Sequence, residues 1–396
     1  MKKTLLYALA LGAALPVMAQ EEKKEEQGFV FTTVKENPIT PIKNQNRSGT
    51  CWSFSGLGFL ESELIRMGKP ETDLSEMFVV YHSYSDKADK YVRTQGTVNF
   101  AGGGSFHDVL YTLKHYGAVP EEVYTGLNYG ESKHVHNEMD GLTKAYVDQV
   151  ITTKGKLTPV WKKGFDGILN AYLGELPETF KVNGKEYTPQ SYAQSLGLNA
   201  DDYVSITSYT HHPFYTQFAI EIPDNWRWGT SYNVPLEEMS EIADNAINNG
   251  YTIAWGADVS EKGFNRNGTG VLIDTEGSEL GGSDAARWLG LSQKEKDEEI
   301  RKMTESPCKE VTVTQESRQK GFDNYETTDD HGMVIYGIAK DQTGKKYYMI
   351  KNSWGETGKY KGLWYISEPF FQAKTMNFVV HKDALPKKIA KKLGIK

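Results

Sequence analysis

Gln45-Asn-Arg-Ser-Gly-Thr-Cys51-Trp-Ser-Phe54 is a polar, glycine-containing loop that runs straight into an apolar-periodic segment. Phe54, Leu57, Leu60, Leu64 and Met67 recur at spacings of three or four and Gly68 follows as a stop, which predicts an amphipathic helix from Cys51 to Met67. Cys51 then falls in the first helical turn. Unpaired backbone N–H groups and the helix dipole place partial positive charge there, which favours a thiolate. A cysteine serving only the core would sit further along. Gln45 lies upstream and supplies an uncharged donor that can converge with the Cys51 N–H beside the sulfur, as an oxyanion hole requires.

A nucleophilic cysteine needs a base, and the best candidate among nine histidines is His331 in Asp329-Asp330-His331-Gly332-Met333. Met333–Ala339 and Tyr347–Lys351 read as strands joined by Asp341-Gln-Thr-Gly344. If those four residues form the loop, paired positions sum to about 685, and residue 333 faces residue 352. His331 then starts one strand beside Asn352 at the end of the next. Asn352 can accept from one imidazole nitrogen while the other faces the sulfur, and Trp354 can cover that bond from water. Asp329 and Asp330 either raise the His331 pKa or cap a turn. Taken singly, a helical cysteine, a histidine before a strand and an Asn-Ser-Trp-Gly turn are each structural commonplaces. Their joint placement points to covalent catalysis.

The rest of the chain changes character along its length. Further helices are expected from about Ser75 and from Phe106 to Gly117, and residues 140–200 alternate helix-like pieces with polar turns. Another helix runs from Val234 to near Asn249-Gly250. Tyr251–Ala257, Val311–Thr314 and Leu363–Ser367 join the two strands above as β-rich runs broken by Gly and Asp. With no internal repeat and no low-complexity linker, the helical half and the sheet half are expected to pack as lobes of one α+β unit.

Composition narrows the function. At 396 residues and 38% hydrophobic the chain can bury a sizeable core, while 45 Lys+Arg against 52 Asp+Glu leaves net −7 and lacks the basic footprint of a nucleic-acid binder. Lys2-Lys3, the apolar run Leu5–Ala14 and Val17-Met18-Ala19 read as a signal peptide over 1–19, so an exported protein, periplasmic or secreted, is expected. No later stretch suits an integral membrane segment. Glu21, Glu22, Lys23, Lys24, Glu25 and Glu26 open a charged leader, placed at 20–35. Cys51 and Cys308 are the two cysteines; by count they would pair in an oxidising compartment, but a cysteine needed as a thiolate stays free, and Cys308 reads as an inert or exposed thiol. His134-Val-His136 and His211-His212 are the close histidine pairs. Neither has cysteine or carboxylates at established ligand spacing, so both read as surface or turn residues, the second pair near the cleft, and no metal or other cofactor is expected.

Gln45, Gly49, Cys51, Trp52, Phe54, His331 and Lys351-Asn352-Ser353-Trp354-Gly355 together resemble papain-type cysteine peptidases. Leu74-Ser75-Glu76 is similar to the opening of that family's second helix, and Gly102-Gly103-Gly104 to its glycine stretch, so the resemblance implies Gly103, Gly104 and Trp354 as substrate-binding residues. Within the clan the chain resembles the bleomycin hydrolase and aminopeptidase C group. Tyr81–Tyr91, Tyr116-Gly-Ala-Val-Pro120, Asn233-Val-Pro-Leu236, Ala254-Trp-Gly-Ala-Asp258 and Gly362-Leu-Trp-Tyr365 carry that likeness, which spans roughly residues 36–390. It implies a papain-like fold over 36–396, with a helical lobe mainly at 45–130, inserted segments at about 131–230 and an antiparallel β-barrel-like lobe mainly at 250–380.

The same resemblance implies amide hydrolysis through a Cys51 acyl-enzyme on a peptide or protein substrate, with a pKa for the thiol lowered towards about 4 by protonated His331 and the helix terminus. Members of the group typically form hexameric aminopeptidase rings with a carboxy-terminal tail in the cleft, which makes a homo-oligomer an expectation here. This chain ends in Leu385-Pro-Lys-Lys-Ile-Ala-Lys-Lys-Leu-Gly-Ile-Lys396, expected to stop before an equivalent of that tail and to form a packed amphipathic helix through Leu385, Ile389 and Leu393. The leader is also shorter than an inhibitory pro-region. An aminopeptidase is the leading expectation; an endopeptidase lacking the tail, and a non-catalytic envelope binding protein on the same scaffold, are the alternatives.

Overall fold

The computed structural model describes residues 28–275, 288 and 290–396, so the signal segment 1–19 and the charge run up to 27 lie outside the described residues. Strand β1 (Phe31–Glu36) comes first, followed by α1 (Cys51–Arg66), α2 (Glu76–Arg93), α3 (Phe106–His115), α4 (Asn137–Thr152) and α5 (Val160–Leu173). A small hairpin, β2 (Phe180–Val182) and β3 (Lys185–Tyr187), leads into α6 (Pro189–Leu196). The starts are written in the sequence: the Ser75 hydroxyl accepts from the Phe78 N–H to cap α2, and Ser105 and Asp108 cap α3 reciprocally.

The second half holds β4 (Tyr203–Thr207), β5 (Gln217–Ala219), β6 (Thr230–Asn233), α7 (Leu236–Asn248), β7 (Ile253–Ala257), β8 (Phe264–Asn265) and β9 (Thr269–Gly270). After these come α8 (Gln293–Glu305), α9 (Gln315–Asp323), β10 (His331–Asp341), β11 (Lys346–Lys351), β12 (Leu363–Ser367), α10 (Glu368–Lys374), β13 (Thr375–His381) and α11 (Lys387–Leu393). One sheet runs in the order β5-β6-β4-β13-β7-β10-β11-β12-β9-β8, with β1 pairing onto β10. It is mostly antiparallel, with β4–β6 and β9–β12 parallel. The barrel-like lobe is therefore an open path among the described strands, bent where β10 contacts β1, β7 and β11.

Two large apolar clusters match the two lobes. One gathers α1–α5 residues such as Leu60, Phe78 and Phe165; the other gathers Ile242, Trp255, Ile350, Phe378 and Ile389 under the sheet. Helix α11 packs as expected, with Ile389 and Leu393 buried and its four lysines in solvent.

Four expectations need correction. Helix α1 is buried from Trp52 to Leu64 on every side, because it lies between α2, α3 and the sheet; its charged residues are compensated, Glu61 by Lys43, Thr40 and the Leu74 N–H, and Glu63 by Arg66. Residues 31–35 belong to the fold rather than to a charged leader: Phe31 stacks on Tyr365 with ring centroids 3.9 Å apart, and β1 pairs with β10. The sheet draws β1 and β4–β6 from outside 250–380. Val311–Thr314 forms no strand; Val311 donates one bond to the Leu272 carbonyl and Thr314 already caps α9.

Candidate active site

Helix α1 begins at Cys51 with an incomplete cap. The Thr50 hydroxyl bonds Ser48 instead of the helix, while the Ser53 and Phe54 N–H groups return to the Thr50 carbonyl at 3.0 and 3.2 Å. The N–H groups of Cys51 and Trp52 are left over, as the helix terminus dictates. That of Trp52 reaches the Cys51 sulfur, as does the Gly332 N–H from β10. Cys51 and Cys308 are both free thiols.

Gly332 lets β10 come this close. A Cβ there would sit 2.7 Å from Ser55 Oγ and 3.3 Å from the Trp52 Cα, so any side chain would push the strand off α1. His331, one residue earlier, is buried, and its Nε2 donates to Asn352 Oδ1 at 2.8 Å. Nδ1 has no hydrogen-bond partner among the described residues, and His331 lines the same pocket as Cys51. The ring of Trp354 lies over the imidazole, centroids 4.6 Å apart and planes 30° from parallel. The hairpin register follows the sequence reading at this end, with Val334 opposite Lys351, and a bulge after Ile335 shifts it by one further along.

Gln45 is held by two bonds to one residue: its N–H donates to the Ser353 carbonyl at 2.9 Å, and its Oε1 accepts from Ser353 Oγ at 2.6 Å. The side-chain amide is thus oriented, with Nε2 unpaired among the described residues. Behind it, Lys351 donates to Thr40 Oγ1, Thr40 Oγ1 to Glu61, and Lys43 bridges Glu61 and Glu76 at 3.1 and 2.7 Å. This buried network fixes the loop that carries Gln45 against α1 and β11.

The charge balance departs from expectation. Burial pushes the Cys51 thiol up to about 12, against the lowering by the Gly332 and Trp52 N–H groups, and Asp329 and Asp224 add to the rise. Burial also lowers His331, against the Asn352 bond and Asp330. Burial therefore opposes either charge formed alone. A thiolate here must form together with the imidazolium, by moving one proton, which leaves the net charge of the site unchanged.

Cys51 and His331 open onto a small pocket that also takes in Gly104, Asp224, Asp329 and Asn377. Gly104 lies under the Trp52 ring and reaches the pocket, but Gly103 does not: its carbonyl accepts from buried Lys87 and its α-carbon faces Asp224. Trp354 covers His331 instead of lining the pocket. Asp330 caps the 258–260 turn through the Val259 and Ser260 N–H groups, at 2.8 and 3.0 Å. Asp329 has no hydrogen-bond partner among the described residues, and burial with Asp224, Asp330 and Asp258 pushes it up to about 8.

Of the other two histidine pairs, the first departs from the surface reading and the second keeps to it. His134 and His136 are buried beside Phe54 and Tyr129. His211 and His212 share Glu221, each at 3.1 Å, and Gln319 holds the second nitrogen of His211; these three side chains have the donor set for a metal ion. Sequence reasoning missed Asp224 and Asn377. The first sits in the tryptophan-rich Asp224-Asn-Trp-Arg-Trp228, a cue to a packed turn, but nothing local ties it to Cys51.

Residues 30–162 match the papain family cysteine protease model, and residues 282–395 the Peptidase C1-like family model. Aminopeptidase G of Lactobacillus delbrueckii subsp. lactis is 23% identical over 90% of this chain and 84% of its own length. Aminopeptidase C of the same organism is 21% identical over 88% and 81%, and the mitochondrial cysteine proteinase 1 of Saccharomyces cerevisiae 21% over 93% and 80%. The crystal structure of PepW from Lactobacillus rhamnosis superposes with a TM-score of 0.68 at 20% identity, covering 92% of this chain and 84% of that one, a likeness of fold.

Proposed function

We propose that this chain, a papain-like cysteine peptidase of the aminopeptidase C group, is an aminopeptidase in which Cys51, His331, Asn352 and Gln45 work through a thioester. The observation that carries the assignment is the single constellation of a helix-start cysteine, a histidine oriented by Asn352 at 2.8 Å, and a glutamine amide oriented by Ser353.

In this reading the Cys51 proton passes to His331 Nδ1 as sulfur bonds to the substrate carbonyl carbon. The Cys51 N–H and Gln45 Nε2 hold the oxygen as it takes up charge. His331 gives the proton to the leaving amine and the C–N bond breaks, leaving an acyl-thioester. Water then adds to the thioester carbon as its proton goes to His331, the C–S bond breaks to release the acid, and the returning proton restores the thiol. Asn352 keeps Nδ1 aimed at sulfur throughout, and Trp354 keeps water off the His331–Asn352 bond.

The reading includes export, on the strength of Lys2-Lys3, Leu5–Ala14 and Ala19. Protein recovered from outside the cytoplasm should begin at Gln20; an intact Met1 start would count against export. The catalytic reading is tested with an L-aminoacyl fluorogenic amide. Wild-type protein should hydrolyse it, Cys51→Ala should not, and equal rates for the two would sink the assignment.

A further inference from the structure

We infer that the pocket beside Cys51 is a receptor for the substrate's free α-ammonium group, with Asp224 and Asp329 as its carboxylates and Asn377 Oδ1 as a third acceptor. The inference rests on the peptidase reading above and names the feature that would select amino-terminal residues.

Asp224 is presented by a built turn. Ile220 and Ile222 line the pocket wall, and the buried Asn225 side chain closes the turn through the Ile220 and Gly229 carbonyls, at 3.1 and 3.0 Å, and the Gly229 N–H, at 2.8 Å. Arg227 pins the turn to α2 and α3 through Asp86 at 2.9 Å and Asp108 at 2.8 Å. The Asp224 carboxylate therefore lies against Gly103, so close that a Cβ on that glycine would be 2.0 Å from Oδ2.

No Lys or Arg forms a salt bridge with this carboxylate among the described residues, and buried Lys87 favours its charge only through space. Arg227 is used by Asp86 and Asp108, and Lys87 gives its donors to the Ala101 and Gly103 carbonyls. Asp224 keeps one neutral contact, from Asn99 Nδ2 at 3.3 Å. Asp329 has no partner among the described residues; pushed up to about 8 without one, it gives up its proton near neutral pH when a cation docks beside it. Asn377 points the same way independently: it is more than nine-tenths buried, its Nδ2 is spent on Ser205 Oγ at 2.9 Å, and its Oδ1, over Gly256 on the pocket wall, has no hydrogen-bond partner among the described residues. Asp224, Asp329 and an amide oxygen share a pocket with the nucleophile and with Asp330, which the 258–260 turn engages, and no Lys or Arg lines it among the described residues. A compact group with three donors and no acceptor is their complement, which an ammonium supplies and an acylated amine does not.

Both carboxylates also disfavour the Cys51 thiolate. A docked ammonium removes that penalty, so the substrates that fit would also ease their own attack.

The test compares an aminoacyl fluorogenic amide with its des-amino analogue, hydrogen replacing the ammonium, on wild type, Asp224→Asn and Asp329→Asn. The ratio of kcat/KM for the two substrates should fall about 10- to 100-fold in each variant, the loss of a charge-assisted hydrogen bond. Circular dichroism certifies the fold, and if one variant is unfolded the other carries the test. A ratio equal to wild type in the folded variants overturns the ammonium site while leaving the peptidase reading intact. No Cys51-dependent turnover of either substrate by wild type overturns the peptidase reading and this inference with it.

Discussion

Gly332→Ala probes the contact on which the site's geometry depends. The added Cβ would stand 2.7 Å from Ser55 Oγ, 3.3 Å from the Trp52 Cα and 3.4 Å from Phe106 Cζ. Unstrained contacts of this kind begin near about 3.5 Å, so β10 and α1 must separate by roughly 0.8 Å. β10 is bound to β1, β7 and β11, and α1 is packed on all sides, so neither moves freely. Overpacking of this sort costs about 1–3 kcal/mol. Because Gly332 adjoins His331 and itself donates to the Cys51 sulfur, a shift of that size should also lower kcat/KM roughly 10- to 100-fold. Steady-state hydrolysis of the aminoacyl amide and a thermal melt read both effects. Adding Ser55→Ala removes the nearest clash and should restore part of each loss. A single variant with wild-type kcat/KM and Tm, or a double variant no better than the single, would refute the reasoning.

Ser353→Ala frees the Gln45 amide without touching substrate; kcat should fall about tenfold with KM little changed, against about a hundredfold or more for Gln45→Ala, and equal losses would show that orientation is not its role. Asp329→Asn tests a stored cost. The fold raises this carboxyl to about 8, above its unfolded value, so it binds the proton more tightly than the unfolded chain and its ionisation drains stability as pH rises from about 4 through 8. The variant escapes that loss: melts should show it equal to wild type near pH 4 and about 1–3 kcal/mol more stable near pH 9, a gain discounted because the side chain opens onto the pocket. No gain at high pH would mean the carboxylate is compensated in the fold.

The parts of the site legible in the sequence were those set by local rules. A helix start places Cys51, and hairpin arithmetic brings His331 to Asn352; the bulge after Ile335 lies on the loop side of the register and leaves the site end untouched. Gln45 was legible by type and spacing, but Ser353, its orienting partner, was not, since that bond closes only when the two lobes meet. Apolar periodicity misjudged α1, because buried Glu61 and Glu63 read as a solvent face until Lys43, Thr40 and Arg66 are brought alongside. The helix start that favours a thiolate is visible in sequence, whereas the burial that opposes a lone one is tertiary. Asp224 sits in a turn whose position over Gly103 is fixed by an arginine and an asparagine rather than by any periodicity.

The most direct test of the central claim is intact mass and peptide mapping of the protein quenched within milliseconds of mixing with a slowly deacylated aminoacyl ester. The account requires one added acyl group on Cys51, none on Cys308, and none on His331→Ala protein, in which the thiol has lost the base that takes its proton. Turnover with no adduct on Cys51, or an adduct on Cys51 that forms as fast without His331, would contradict it.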